Sequence, residues 1–211
     1  MAKAIVLDLD NTLFDTRSIP SSLTAGLFSA MRDANDGDDA IADTLLEMAF
    51  HDSWSIPFPV IADRYRLPKR LLSVWSRFQD SMTFDEPLHP YPDVVESMQK
   101  LRDLNYFLCL LTSGYQNVQS GKIKALRLEP LFDLILIDAV DHIHVGKEVI
   151  LRELLQARKW RPEDVLIVGD SATSEIAAGV RLGIPTVQIL RPGVTQSTAA
   201  GRHIHSLAEL L

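Results

Sequence analysis

What most constrains the fold of this chain is a rhythm. Five short, almost continuously apolar runs recur: Ala4–Leu9 (AIVLDL), Tyr106–Leu111 (YFLCLL), Leu134–Ile137 (LILI), Val165–Val168 (VLIV) and Thr186–Leu190 (TVQIL). Runs this short and this apolar are the pattern of strands covered on both faces. Stretches with helical spacing separate the later ones: Asp93–Leu104, Asn117–Leu126, Glu148–Lys159 and Thr173–Leu182. The alternation predicts an α/β fold, a doubly wound, Rossmann-like parallel sheet of about five strands joined by right-handed crossovers.

One connection breaks the rhythm. Between Arg17 and Pro90 there is helical periodicity punctuated by Pro57, Pro59 and Pro68, and no convincing strand. About 70 residues exceed any ordinary strand-to-helix loop. The expectation is a catalytic core made of residues 1–16 and 91–211, with a helical subdomain, 17–90, inserted after the first strand. Charge within the insertion is lopsided. Asp33, Asp36, Asp38, Asp39, Asp43, Glu47 and Asp52 precede Arg64, Arg66, Lys69, Arg70 and Arg77. Two readings stay open: solvated helix faces, or second-half cations that face an anionic substrate.

Bulk properties narrow the function classes. No apolar run approaches the ~18–20 residues of a membrane span. MAKAIVLDLD has an acid by position 8 and no long apolar segment, so a secretory signal is not expected. One cysteine, Cys109, excludes an intrachain disulfide and suits a reducing cytoplasm; inside YFLCLL it reads as a buried hydrophobe. A net charge of −7 disfavours nucleic acid as a partner but leaves room for one small phosphorylated ligand.

In an open parallel sheet, ligands bind beyond the carboxyl ends of the strands. Three strand ends here carry suitable groups: Asp8–Leu9–Asp10–Asn11–Thr12, Thr112–Ser113–Gly114, and Gly169–Asp170–Ser171 with Glu175 further on. Lys147 stands in HVGKE, before the helix leading to the strand that ends at Gly169. Alone, each is an ordinary turn, cap or surface signal. Together they fall on one predicted edge. Residues two apart on a strand share a side, so Asp8 and Asp10 can address one crevice. Asp170 adds a third acid, and three acids repel unless a cation is present. Oxygen-only ligands favour a hard divalent ion, most simply Mg²⁺. Such an ion with Lys147, Thr112 and backbone N–H groups suits a phosphoryl group, and a carboxylate can then serve as nucleophile.

DLDNT, LLTSG, the lysine of GKE and VGDSATSE resemble the four motifs of the haloacid dehalogenase-like superfamily of phosphohydrolases. The insertion is similar to the type 1 helical cap of that superfamily, expected to close over a small phosphomonoester. The resemblance implies a Mg²⁺-dependent phosphatase working through an aspartyl-phosphate. It implies that Asp8 is nucleophile and metal ligand. Asp10 is general acid and then base, its backbone carbonyl also reaching the metal, and a raised pKa beside other carboxylates would suit that work. Thr112 and the Ser113 amide bind phosphoryl oxygens, Lys147 neutralises charge between nucleophile and phosphate, and Asp170 binds Mg²⁺. Glu175 takes the second acidic position, where relatives more often have Asp, as ligand or outer partner. Glu148 stands where many relatives have Pro. Asp10 argues against a true dehalogenase. Asn11–Thr12 resembles nucleotidase-like and sugar-phosphatase branches more than the phosphomutase branch, which typically has Gly at 11.

Several residues stay open. His142 and His144 can chelate a metal, touch substrate, or be ordinary loop residues; His203 and His205 read as surface. Trp54, Trp75 and Phe78 read as core of the insertion or as a stacking platform. Asp15 reads as cap, hinge or substrate contact. The substrate is a nucleoside monophosphate or a sugar or organic-acid phosphate. The competing classes are a phosphomutase and a non-catalytic, receiver-like phosphoacceptor module.

Overall fold

The computed structural model describes residues 2–20, 22–38, 40–52 and 58–211, so Asp39, Trp54 and Pro57 lie outside it. The chain divides into two compact units, Met1–Asp15 with Glu86–Leu211, and Thr16–Asp85.

The first unit is a six-stranded parallel sheet: β1 (Ala4–Leu7), β2 (Phe107–Gly114), β3 (Leu134–Ala139), β4 (Val165–Gly169), β5 (Thr186–Ile189) and β6 (Arg202–Ile204). Their spatial order is β3-β2-β1-β4-β5-β6, the order of a classic dinucleotide-fold sheet. β1 lies between β2 and β4, Val6 standing opposite Cys109 on one side and Ile167 on the other. The order in which strands are added therefore reverses between β1 and β4, and their ends form the switch point of the sheet. β6 has no counterpart in the sequence analysis. Its three residues, RHI, include an exposed arginine and carry no apolar run to find.

Helices α5 (Val94–Asp103), α6 (Gln116–Ala125), α7 (Lys147–Arg158) and α8 (Ala177–Leu182) make the crossovers. Val6, Cys109, Leu111 and Ile167 share a core with Leu151 and Leu154 of α7 and Ala178 of α8. Cys109 is fully buried there, and burial pushes its thiol up to about 12, so it behaves as a hydrophobe. The stretch read as one helix from Thr173 is two pieces. A π-helical turn, Ala172–Ile176, precedes α8.

The second unit holds α1 (Ser22–Asp33), α2 (Asp43–Asp52), α3 (Phe58–Arg64) and α4 (Lys69–Ser81), with no strand among its described residues. Pro59 falls in the first turn of α3 and Pro68 immediately precedes α4, positions that tolerate proline. Trp75 is buried and stacks on Phe58 with ring centroids 4.1 Å apart, which makes it a core residue. The charge asymmetry is partly consumed within the unit. Arg64 and the Tyr65 hydroxyl reach Asp52, Arg32 pairs with Asp43, and Arg70 donates to the carbonyls of Ala34 and Asp36.

Candidate active site

β1 ends at Leu7, two residues earlier than its apolar run suggests. The Asp8 amide still donates to Val168 O at 3.0 Å, after which the chain leaves the sheet. Asp8 and Asp10 therefore do not share a strand face. Asp8 turns inward and is 7% exposed. Asp10 lies in a tight loop closed by Leu13 N to Leu9 O and Asn11 N to Phe14 O, both 2.9 Å. Asn11 supplies the left-handed turn, at φ 55°, a conformation that asparagine and glycine adopt most readily.

The Lys147 ammonium sits between two carboxylates, 2.5 Å from Asp8 Oδ1 and 3.0 Å from Glu175 Oε2. It is the first residue of α7, placed there by Gly146, whose backbone takes φ 85°. Glu175 reaches the site from the π-helical turn, a form of extra residue that re-aims side chains at functional positions. Its Cγ passes so close to Gly169 that a Cβ there would stand 2.2 Å away. Asp170 follows β4 directly, and its carbonyl accepts from the buried Gln188 of β5 at 2.8 Å.

Oxygens of Asp8, Asp170 and Glu175 lie within 4.8 Å of one another, the one such grouping of potential metal ligands among the described residues. Three carboxylates share one ammonium. Burial raises Asp8 well above the ordinary carboxylate range; Lys147 opposes this, while Glu175, Asp170 and Asp10 add to it. Asp170 is pushed up to about 7 by burial and by Glu175. Burial works against the charged form of Lys147, yet Asp8 and Glu175 outweigh it and hold the ammonium above its usual range. The donor set is all oxygen, converges on one point and retains uncompensated negative charge. That suits a hard divalent cation.

Asp10 keeps different company from the carboxylates the sequence suggests. Both its oxygens face Lys122 Nζ, at 2.9 and 3.0 Å, and Oδ2 also accepts from Gln119 Nε2 at 3.0 Å. Its side chain stands outside the Asp8–Asp170–Glu175 grouping. Thr112 and Ser113 fall within β2, which runs three residues beyond the expected Leu111. Thr112 is buried, and Ser113 Oγ donates to Asp138 Oδ2 at 3.2 Å.

Asp138, at the end of β3, escaped the sequence analysis. It is 1% exposed and also accepts from the amides of Val145 and Gly146, so it ties the Ser113 turn to the loop that delivers Lys147. His144 places Nδ1 2.9 Å from Asp138, whereas His142 lies against Asp141. The two histidines address different carboxylates.

Arg191 also escaped the sequence analysis. Buried and stacked 4.1 Å over Tyr91, it donates to the Thr12 carbonyl and pairs with Asp93 at 2.9 Å. Asp93 also accepts from Ser206 Oγ and the Leu207 amide, and with Arg191 these hold its carboxyl below the usual range despite the opposing effect of burial. The loop carrying Asp10 is thereby pinned to the C-terminal segment.

Over residues 2–183 the chain matches the haloacid dehalogenase-like hydrolases. It belongs to that family. It is 24% identical over 200 residues to a glyceraldehyde 3-phosphate phosphatase of Methanopyrus kandleri, covering 90% of this chain and 85% of the relative. It is 28% identical over 188 residues to the pyrophosphatase PpaX of Bacillus cereus, covering 88% and 82%. In fold it is similar to a phosphatase of the same family from Thermococcus onnurineus, with a TM-score of 0.69, 21% identity and coverage of 99% and 95%. The hydrolase YfnB of Bacillus subtilis gives a TM-score of 0.66 at 16% identity, with coverage of 99% and 96%. The chain is thus a hydrolase, and no helix among its described residues is long and apolar enough to cross a membrane.

Proposed function

We propose that this hydrolase cleaves small phosphomonoesters with Mg²⁺, through an aspartyl-phosphate on Asp8. The observation that carries the reading is the Asp8–Lys147–Glu175–Asp170 constellation at the switch point of the sheet. Asp8, Asp170 and Glu175 would hold Mg²⁺, together with the Asp10 backbone carbonyl. When bound, the ion supplies positive charge that keeps Asp8 ionised and draws electron density from the phosphoryl oxygens.

The chain's own groups then divide the work. A carboxylate oxygen of Asp8 attacks phosphorus as the bond to the leaving oxygen breaks. Asp10 gives its proton to that oxygen. Thr112 and the Ser113 amide bind phosphoryl oxygens, and Lys147 offsets the charge facing Asp8. Water next attacks phosphorus, its proton passes to Asp10, and the bond to Asp8 breaks to release phosphate. The two transfers together return the site to its starting protonation.

Release of inorganic phosphate in the presence of Mg²⁺ tests this reading. Nucleoside monophosphates, sugar phosphates, phosphoglycolate, glyceraldehyde 3-phosphate and pyrophosphate form the panel, the last two because relatives carry those activities in their names. Turnover by the unsubstituted protein and its loss in Asp8→Asn are the expected results. A stable phosphoprotein without turnover would favour a phosphoacceptor module instead, and formation of sugar bisphosphate without free phosphate a mutase. The strand order differs from the 2-1-3-4-5 order of receiver-type sheets, which supports the enzyme over the acceptor.

A further inference from the structure

Lys122 and Gln119 lie one turn apart on α6, three residues from each other and therefore on one helix face. Both are buried, at 8% and 3% exposure. A helix face turned toward a sheet is ordinarily filled by leucine or isoleucine. An ammonium placed there costs several kcal/mol unless it is fully paired. Among the described residues, its ion-pair partner is Asp10, whose two oxygens it meets at 2.9 and 3.0 Å. The ammonium also lies 5.8 Å from the centre of the Phe14 ring, at the far end of the same loop.

Gln119 completes the hold. Its Nε2 bridges Asp10 Oδ2 at 3.0 Å and the Ser113 carbonyl at 2.8 Å. The side chain fits because residue 114 is glycine: a Cβ at Gly114, where φ is 151°, would stand 2.4 Å from Nε2. The phosphate-side turn and the Asp10 loop are thus joined through one amide. Its Oε1 is buried with no hydrogen-bond partner among the described residues.

We infer that Lys122 and Gln119 are positioning residues that hold the Asp10 carboxylate for proton transfer to and from the reacting oxygens. This rests on the reading of the site as a phosphatase. Proton transfer demands geometry first, with donor and acceptor oxygens about 2.6–3.2 Å apart. An unrestrained aspartate on a loop would spend most of its time elsewhere. Oδ2 accepts from both Gln119 and Lys122, and Oδ1 from Lys122, so both oxygens are held from one face of α6.

The test compares alkyl with aryl phosphomonoesters using Mg²⁺-loaded enzyme. An alkoxide needs a proton as it departs and a nitrophenolate does not, and kcat/KM reports that first transfer. Lys122→Met should lower kcat/KM on an alkyl phosphate about 10²-fold, the lower end of what a positioned general acid contributes. On 4-nitrophenyl phosphate kcat/KM should hardly change. Hydroxylamine-labile phosphate on the protein should rise during 4-nitrophenyl phosphate turnover, because water activation also needs Asp10. Lys122→Arg should recover much of the loss. Should Lys122→Met fail to fold, Gln119→Leu loosens the same carboxylate and should show the same split on a smaller scale. Equal losses on both ester classes, or no loss, would overturn the assignment while leaving the phosphatase reading intact. Failure of the unsubstituted protein to release phosphate from any ester would overturn both.

Discussion

Two lysines divide the acids of this site, and their surroundings are opposite. Around Lys147, three carboxylates share one ammonium, and burial and mutual repulsion drive Asp8 and Asp170 upward. Around Lys122, one carboxylate faces one ammonium and a neutral amide, and the group is balanced within the protein. The first arrangement retains uncompensated negative charge; the second is balanced as folded. In the proposed reading, the first part of the site binds and the second holds still.

The largest break in this comparison is Asp8→Asn, which should abolish phosphate release while sparing the Lys122 pair. Lys147→Met comes next. It strands Asp8 and Glu175 as buried, unpaired acids, and removal of one partner from a buried pair costs about 3–5 kcal/mol. Urea unfolding in chelator should show that loss, and added Mg²⁺ should recover part of it. Lys122→Met leaves a single unpaired, better-hydrated acid, so its stability loss should be the smaller of the two.

Asp170 gives the comparison a pH axis. With its carboxyl raised to about 7, the folded protein binds that proton more tightly than the unfolded chain does. Its contribution favours folding below about pH 4 and is lost as pH rises through about 7. In chelator, the melting temperature of the unsubstituted protein should therefore fall relative to Asp170→Asn between about pH 5 and about pH 8. Mg²⁺ should reverse the order, since only the aspartate can bind it as an anion. A flat difference across this range would remove the charge-crowding account of the cluster.

The smallest effects separate the halves most finely. Gly169→Ala pushes a methyl into Glu175, and Gly114→Ala pushes one into Gln119. Overpacking of this kind costs about 1–3 kcal/mol. Gly169→Ala should weaken Mg²⁺ binding measured by calorimetry. Gly114→Ala should leave it unchanged and reproduce the leaving-group split of Gln119→Leu.

Much of this was legible from residues alone, for an identifiable reason. Apolar runs report burial on both faces, so the α/β alternation and the helical insertion could be read directly. The polar strand ends, Asp8, Thr112 and Asp170, could be read because polar groups interrupt those runs where strands stop. Periodicity says nothing, however, about which polar group meets which. The strand-face reasoning that paired Asp8 with Asp10 failed because β1 ends at Leu7, and the loop then sends the two side chains to different lysines. Asn11 satisfies a left-handed backbone, a demand that glycine meets equally, so the residue type there reports turn geometry before substrate. Polar residues spaced three apart on a helix behind a strand end were the available sign of Gln119 and Lys122.

The sequence by itself determined the class of fold, the strand ends that carry the acidic groups, and the family. Local patterning carries those, because burial and strand ends leave their marks within a few residues. Only the tertiary structure decided the partnerships: Lys147 with Asp8 across 139 positions, Lys122 with Asp10 across 112, and Arg191 with the Thr12 carbonyl across 179. Such pairs form because the switch-point topology brings distant strand ends and one helix face to the same few ångströms. No local signal encodes that meeting.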